Sequence, residues 1–228
     1  MSGIWKLVVN YQDYLLTGIK ITIIVSLLAI LIGFLLGALC SVIRIGKNKI
    51  PKFIVALYVE FIRGTPVLVQ ISMVYYGLPL LGLQMPDMKI WGVQFNRLIS
   101  GVLALGLNSA AYVCEIIRGG ILSVDAGQTE AAESLGFTHR DTILKIVLPQ
   151  ALKNALPALA NEFIVMIKTS SQVSVIGLAD LMFVADVIRG NSFRPFAPLV
   201  IVAIIYLCIT ELVSHIFRKV EANVRKAK

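Results

Sequence analysis

The sequence predicts an all-α integral membrane protein with about five transmembrane helices. Three observations carry that prediction. Of the 228 residues, 57% are hydrophobic and only 15% charged, with a mean hydropathy of +0.84, whereas soluble domains have about 45–50% apolar and about 25% charged residues. Residues 21–43 carry no charge and reach about 30 Å as a helix, the thickness of a bilayer's hydrocarbon core. Basic residues gather at the ends of particular apolar runs, which fits the positive-inside rule better than a nucleic-acid face despite the net charge of +8.

Residues 1–16 alternate apolar and polar side chains, and Trp5, Tyr11 and Tyr14 suit a short helix lying in the membrane interface. They lack the basic region, apolar core and cleavage site of a signal peptide, so the first apolar run is expected to stay as an anchor. That run gives a span at 17–43. Its Gly33 and Gly37 form a small-xxx-small pair, which marks either a close helix contact or a lipid-facing helix with glycines. Arg44, Lys47, Lys49 and Lys52 follow in a short loop, placing it in the cytoplasm and the N-terminus outside.

The second apolar segment, 53–81, is interrupted by Glu60, Arg63, Gly64, Thr65 and Pro66. Charges beside Gly and Pro at mid-membrane are costly unless they face protein or a water-filled cavity. The segment is therefore either a Pro-kinked helix with a Glu60–Arg63 packing pair, or a break that lines a solute path. Residues 82–96, with Pro86, Asp87, Lys89 and Trp91, form an external loop that caps a cavity or merely connects.

The third span, 97–117, carries Asn108, Tyr112 and Glu115 at spacings of four and three. These lie on one helix face, and an intramembrane polar stripe points into the bundle. Residues 118–152 are then the main polar stretch, a cytoplasmic loop. Within it Glu130, Ala131, Ala132, Glu133 and Leu135 are good helix formers. Gly136 stands where a left-handed cap ends a helix. Thr138 or His139 restarts the chain, with Asp141 in the first turn. Ile143, Ile146 and Val147 give the second short helix an apolar face, and Pro149 is expected to close it.

The fourth span, 153–176, holds Asn161, Glu162, Lys168, Thr169, Ser170, Ser171 and Gln172, too many polar groups for a lipid face. Residues 177–195 read as a second external loop. The fifth span, 196–217, ends in a basic tail of Arg218, Lys219, Arg225, Lys226 and Lys228. With these assignments thirteen basic residues fall inside and five outside, which gives N-out, C-in. One transmembrane domain spans 1–228.

Cys40, Cys114 and Cys208 each fall in an apolar run. Their number is odd and no metal-like spacing exists, so they read as buried free thiols with no metal site. The paired short helices at 128–150 match a helix-turn-helix in outline. Yet Arg140, Lys145 and Lys153 stand against Asp125, Glu130, Glu133 and Asp141. That leaves no basic phosphate-binding face, so no nucleic acid is expected.

Several motifs together resemble a known family. The pattern Glu130-Ala131-Ala132, Gly136, Ile146 and Leu148-Pro149 is similar to the EAA loop of permease subunits in ATP-binding-cassette importers. Residues Phe61-Ile62-Arg63-Gly64-Thr65-Pro66-Val67-Leu68-Val69-Gln70 resemble the signature of polar amino-acid permeases of the histidine/glutamine type. So do Asn108-Ser109-Ala110-Ala111-Tyr112, Glu115-Ile116-Ile117-Arg118-Gly119-Gly120 and Asn161-Glu162-Phe163. The resemblance runs from about residue 14 to 220. In one place the chain departs from it: Lys168-Thr169-Ser170-Ser171 stands where family members often have Lys-Asp-Thr-Ser.

The resemblance implies a type I ABC importer permease fold in the cytoplasmic membrane of a prokaryote. It implies a second permease subunit, two ATPase subunits and an external solute-binding protein as partners. The ATPases would dock on Glu130, Ala131, Ala132, Glu133, Gly136, Leu148 and Pro149. Small alanines allow close approach to a groove, and the glutamates offer carboxylates to basic or amide groups. The chain has no Gly-x4-Gly-Lys-Ser/Thr pattern, so it is expected not to be an enzyme and to hold no cofactor; ATP and Mg belong to the partner ATPase. A polar amino acid would cross through a midplane cavity lined by Glu60, Arg63, Thr65, Gln70, Asn108, Tyr112, Glu115, Asn161, Glu162 and Ser171. A zwitterion needs a cation for its carboxylate and a carboxylate for its ammonium. Arg63 could serve the first, unless Glu60 locks it, and Glu162 the second. An ion-coupled secondary transporter would also need intramembrane Glu and Lys, but no ATPase-docking loop.

Overall fold

The first apolar run forms one long helix. The computed structural model describes residues 2–86 and 88–226, so Asp87 and Lys228 lie outside the described residues. A short helix α1 (Ser2–Asn10) leads into α2 (Gln12–Ile45), longer at both ends than the apolar core of the run. Trp5 on α1 is 70% exposed while Leu7 is buried, an amphipathic arrangement.

Helix α2 packs along α5 (Phe95–Leu122). The two run so close that a Cβ on Gly33 would lie 2.5 Å from Ser109 Cβ, and one on Gly37 would lie 2.7 Å from Val113 Cβ. The small-xxx-small pair is therefore a helix contact, not a lipid face. Nearer the start of α2, Ile21 and Val25 join Ile71, Leu105 and Met166 in the main core.

The segment at 53–81 is two helices, α3 (Lys49–Gly64) and α4 (Val67–Leu80), bent by 110° at the break. The expectation of a single Pro-kinked helix does not hold. Thr65 and Pro66 are both extended, as the residue before a proline is pushed out of the helical region. After α4 comes a small hairpin, β1 (Lys89–Ile90) paired with β2 (Val93–Gln94). Its turn residues Trp91 and Gly92 both have positive φ, at 53° and 86°, the geometry that matches strand twist in a two-residue turn.

Beyond α5 lie α6 (Ala126–Ser134) and α7 (His139–Thr142). A wide π turn over Ile143–Val147 then runs directly into α8 (Leu148–Thr169). Pro149 thus opens a long helix instead of closing a short one. In a first turn its missing N–H is not needed. The end of this helix tightens to 3-10 geometry over Ser170–Ile176 and stops at Gly177, φ 71°.

The expected loop at 177–195 contains a helix, α9 (Leu181–Ser192). Its start is capped by Asp180, whose carboxylate accepts from the amides of Phe183 at 3.0 Å and Met182 at 3.2 Å. Leu181, Val184, Ala185 and Ile188 bury one face, a helical spacing that the polar flanks Asp180, Asp186 and Arg189 obscured. Together with Leu7 of α1 and Ile201 of α10 (Ala197–Lys226) they form a second core. Of the cysteines, Cys114 is buried, Cys40 partly so and Cys208 exposed; Cys208 sits on the outer face of α10 in place of the buried position expected.

Among the described residues three helices, α2, α5 and α10, are long and apolar enough to cross a membrane. The bent pairs, α3 with α4 and the 139–176 stretch with α9, bring the total to as many as five.

Candidate functional site

The break between α3 and α4 leaves carbonyl groups without helical partners, a state not tolerated in lipid unless other groups satisfy them. Thr65 Oγ1 donates to the carbonyl of Phe61 at 2.9 Å. Gln70 Nε2 reaches back to the carbonyl of Ile62 at 2.8 Å and to Thr65 Oγ1 at 2.8 Å. Gln70 Oε1 in turn accepts from Asn108 Nδ2 at 2.9 Å. Gln70 is thus a structural clasp: it closes the break and fastens it to α5.

Against this clasp lies a cavity of about 310 Å³. Thr65 and Pro66 supply one wall, Asn108 and Tyr112 of α5 another, and Glu162, Met166, Thr169 and Gln172 a third. Glu162 is 7% exposed, and its Oε1 accepts from Ser109 at 3.0 Å. Among the described residues no basic side chain pairs with it. The cavity therefore presents a carboxylate, an amide pair and hydroxyls at about the middle of α5.

Of the ten residues expected on a solute path, Thr65, Asn108, Tyr112 and Glu162 line this cavity, with Gln70 buried behind them. Glu60 and Asn161 are exposed elsewhere on their helices. Ser171 donates to the carbonyl of Lys168 at 2.7 Å, within its own turn. These three do not join the cavity. Thr169 and Gln172 do, although sequence reasoning gave them no site role. The signal was the polar run at 168–172, but which of its members faced inward depended on the change from α to 3-10 winding, which rotates the later side chains.

Arg63 does not pair with Glu60. It reaches Glu115 at 3.9 Å and lies over the Tyr112 ring, 5.6 Å from its centroid. Glu115 is a node for three arginines. Arg118 donates through Nε and Nη2, the latter at 2.8 Å, and Arg44 of α2 stands 3.4 Å away. The node joins α2, α3 and α5 one turn beyond the cavity.

The second candidate element is the polar stretch after α5. Asp125 caps α6, accepting from the amide of Gly127 at 2.7 Å. Gly136 has φ 86°. The amide of Phe137 donates to the carbonyl of Ala132 at 3.2 Å, and that of Gly136 to Glu133 at 3.0 Å, which together make a Schellman termination. Thr138 caps α7 and exchanges hydrogen bonds with Asp141. Lys145, 2.7 Å away, and then Thr138 hold the Asp141 carboxyl below the usual carboxylate range. Glu130, Ala131, Leu135 and Phe137 remain exposed, Leu135 at 81%. Ala132 is buried within the chain at 6%, so it offers nothing to a groove from outside; its small size serves internal packing. Glu133 is engaged by His139 Nδ1 at 2.8 Å. Among the described residues no cluster of His, Cys, Asp and Glu could hold a metal ion.

Residues 29–226 match the family described as binding-protein-dependent transport system inner membrane component. An arginine transport system permease protein of Bacillus subtilis is 36% identical over 212 residues, 93% of each chain. A Rickettsia bellii protein with a provisional name as a glutamine transport system permease is 36% identical over 208 residues, 91% of each chain. A crystal structure of an amino acid ABC transporter with histidines contains a chain that superposes with a TM-score of 0.85 at 43% identity, covering 94% of this chain and 96% of its own.

Proposed function

Because the chain belongs to the family of inner membrane components of binding-protein-dependent transport systems, we propose that it passes a polar amino acid through the cavity beside Glu162. It is the permease subunit of an amino-acid ABC importer. The carrying observation is the buried Glu162 carboxylate on the wall of a 310 Å³ cavity, held by Ser109 and, among the described residues, without a basic partner, which suits a substrate ammonium. Arg63, which lies over the Tyr112 ring, serves the substrate carboxylate.

The N-terminus lies outside and the basic tail in the cytoplasm. That orientation rests on the basic residues around Arg44 and after Phe217. It puts α6 and α7 where a soluble ATPase reaches them. Glu130, Ala131, Gly136 and the exposed Leu135 and Phe137 form the docking face, with ATP and Mg held by that partner and none by this chain. Because the π turn joins α7 to α8 without a loop, a push on α7 is transmitted to the helix that carries Glu162. The partner drives the cavity between outward and inward access only if the two states differ in what they bind. A second permease subunit and an external solute-binding protein complete the assembly.

Reconstitution tests the reading. Liposomes holding this chain with its ATPase and binding protein should take up labelled amino acid only with ATP inside. Uptake by this chain alone would identify an ion-coupled transporter instead.

A further inference from the structure

We infer that Arg44 and Arg63 form a second station, for the solute's carboxylate, at the cytoplasmic edge of the cavity, and that Glu115 is the positioning residue that holds them. The inference rests on the solute path proposed above. Asn108, Tyr112 and Glu115 descend one face of α5, which sets Glu115 about 10 Å beyond Asn108 at 1.5 Å per residue. Tyr112 lines the cavity, and Arg63 touches both the Tyr112 ring and Glu115. The cavity and the node are therefore consecutive points on one path.

The charges of the node do not cancel. Three guanidiniums face one carboxylate. Arg118 takes both carboxylate oxygens in hydrogen bonds of 2.8–3.2 Å. Arg44 and Arg63 stand off at 3.4 and 3.9 Å, beyond a close charge-assisted hydrogen bond. A carboxylate that only pinned helices together would be satisfied by Arg118. Two further cations add mutual repulsion unless another anion visits. Arg44 and Arg63 come from different helices, yet Glu115 converges them, so their donors are ordered before a solute carboxylate arrives. Arg63 is half-exposed on its side chain and Arg44 is mostly buried, as expected of an inner and an outer arm.

The test uses the permease reconstituted with its ATPase and binding protein, with a labelled mixture of polar amino acids as probe. R44Q should lower maximal uptake about tenfold, the loss of one charge-assisted contact. The half-saturating concentration should stay within about twofold, because release and not capture is affected. ATP hydrolysis stimulated by loaded binding protein should continue, and R44K should recover part of the uptake because it keeps the charge. E115Q should behave like R44Q, and E115D should recover part of the loss. Wild-type uptake in R44Q would overturn the station. So would a fall of uptake and ATP hydrolysis together with loss of assembled complex, or an R44K defect as deep as that of R44Q. If the wild-type complex moves no probe with ATP, the solute path itself fails, and the station with it.

Discussion

Asn108 on α5 donates its side-chain amide to Gln70 Oε1 at 2.9 Å, and Gln70 carries the connection on to the carbonyl of Ile62 at 2.8 Å. One helix thereby satisfies the broken end of another. Gln70→Ala would strand Ile62 O and the Asn108 amide in a buried setting. It should cost about 1–3 kcal/mol, read as a fall of several degrees in the unfolding midpoint of the detergent-solubilised complex. An unchanged midpoint would mean that the break is held by other contacts.

The close approach of α2 and α5 gives a second expectation. Gly37→Ala places its Cβ where Val113 Cβ and Ala110 O already stand within 2.8 Å. Overpacking of this kind costs about 1–3 kcal/mol or more, so the yield of folded permease should drop. Gly64→Ala meets nothing within 4 Å and is the matched control. Equal yields of the two would exclude close packing at Gly37.

For the cavity, Glu162→Gln keeps the shape and the Ser109 contact while removing the charge. Uptake by the reconstituted importer should fall roughly 10- to 100-fold, since a hydrogen bond to a charged group contributes about 1.5–3 kcal/mol. Arg63→Ala should abolish uptake while leaving the ATPase bound. Normal uptake kinetics in either variant would remove that residue from the path.

At the proposed docking face, Glu130→Lys should reduce co-purification of the ATPase and ATP-dependent uptake together, without changing which solute is carried. Gly136→Val forces a branched side chain into φ 86°, at a cost of roughly 1–3 kcal/mol, and should loosen the turn between α6 and α7 with the same consequence. A Glu130→Lys permease that still assembles and transports normally would place the coupling contact elsewhere.

Much of the architecture was legible because it follows from local chemistry. The Gly136 cap, the Thr138–Asp141 pair and the break at Thr65–Pro66 each lie within a few residues of chain, where turn and cap rules apply directly. Three readings failed for the opposite reason. Proline ends most helices, so the sequence predicts a stop at Pro149, whereas the π turn before it places it in the first turn of α8. Helix α9 was missed because its charged flanks hid four apolar residues at helical spacing. Proximity in sequence points to Glu60 as the partner of Arg63, whereas Arg63 turns to Glu115 on another helix.

The sequence by itself determined the membrane class, the polar interruption at Glu60–Pro66, the polar stripe of α5 and the exposed turn at Gly136, because hydropathy and cap chemistry act along the chain. Only the tertiary structure decided which polar groups share the cavity and which belong to the arginine node. Ser109 meets Glu162 across 53 residues and Gln70 meets Asn108 across 38. Such pairs depend on the rotation and depth at which helices pack, and along α2 and α5 that was set by Gly33 and Gly37 of α2 and Gly106 of α5, which have no side chain to hold the helices apart.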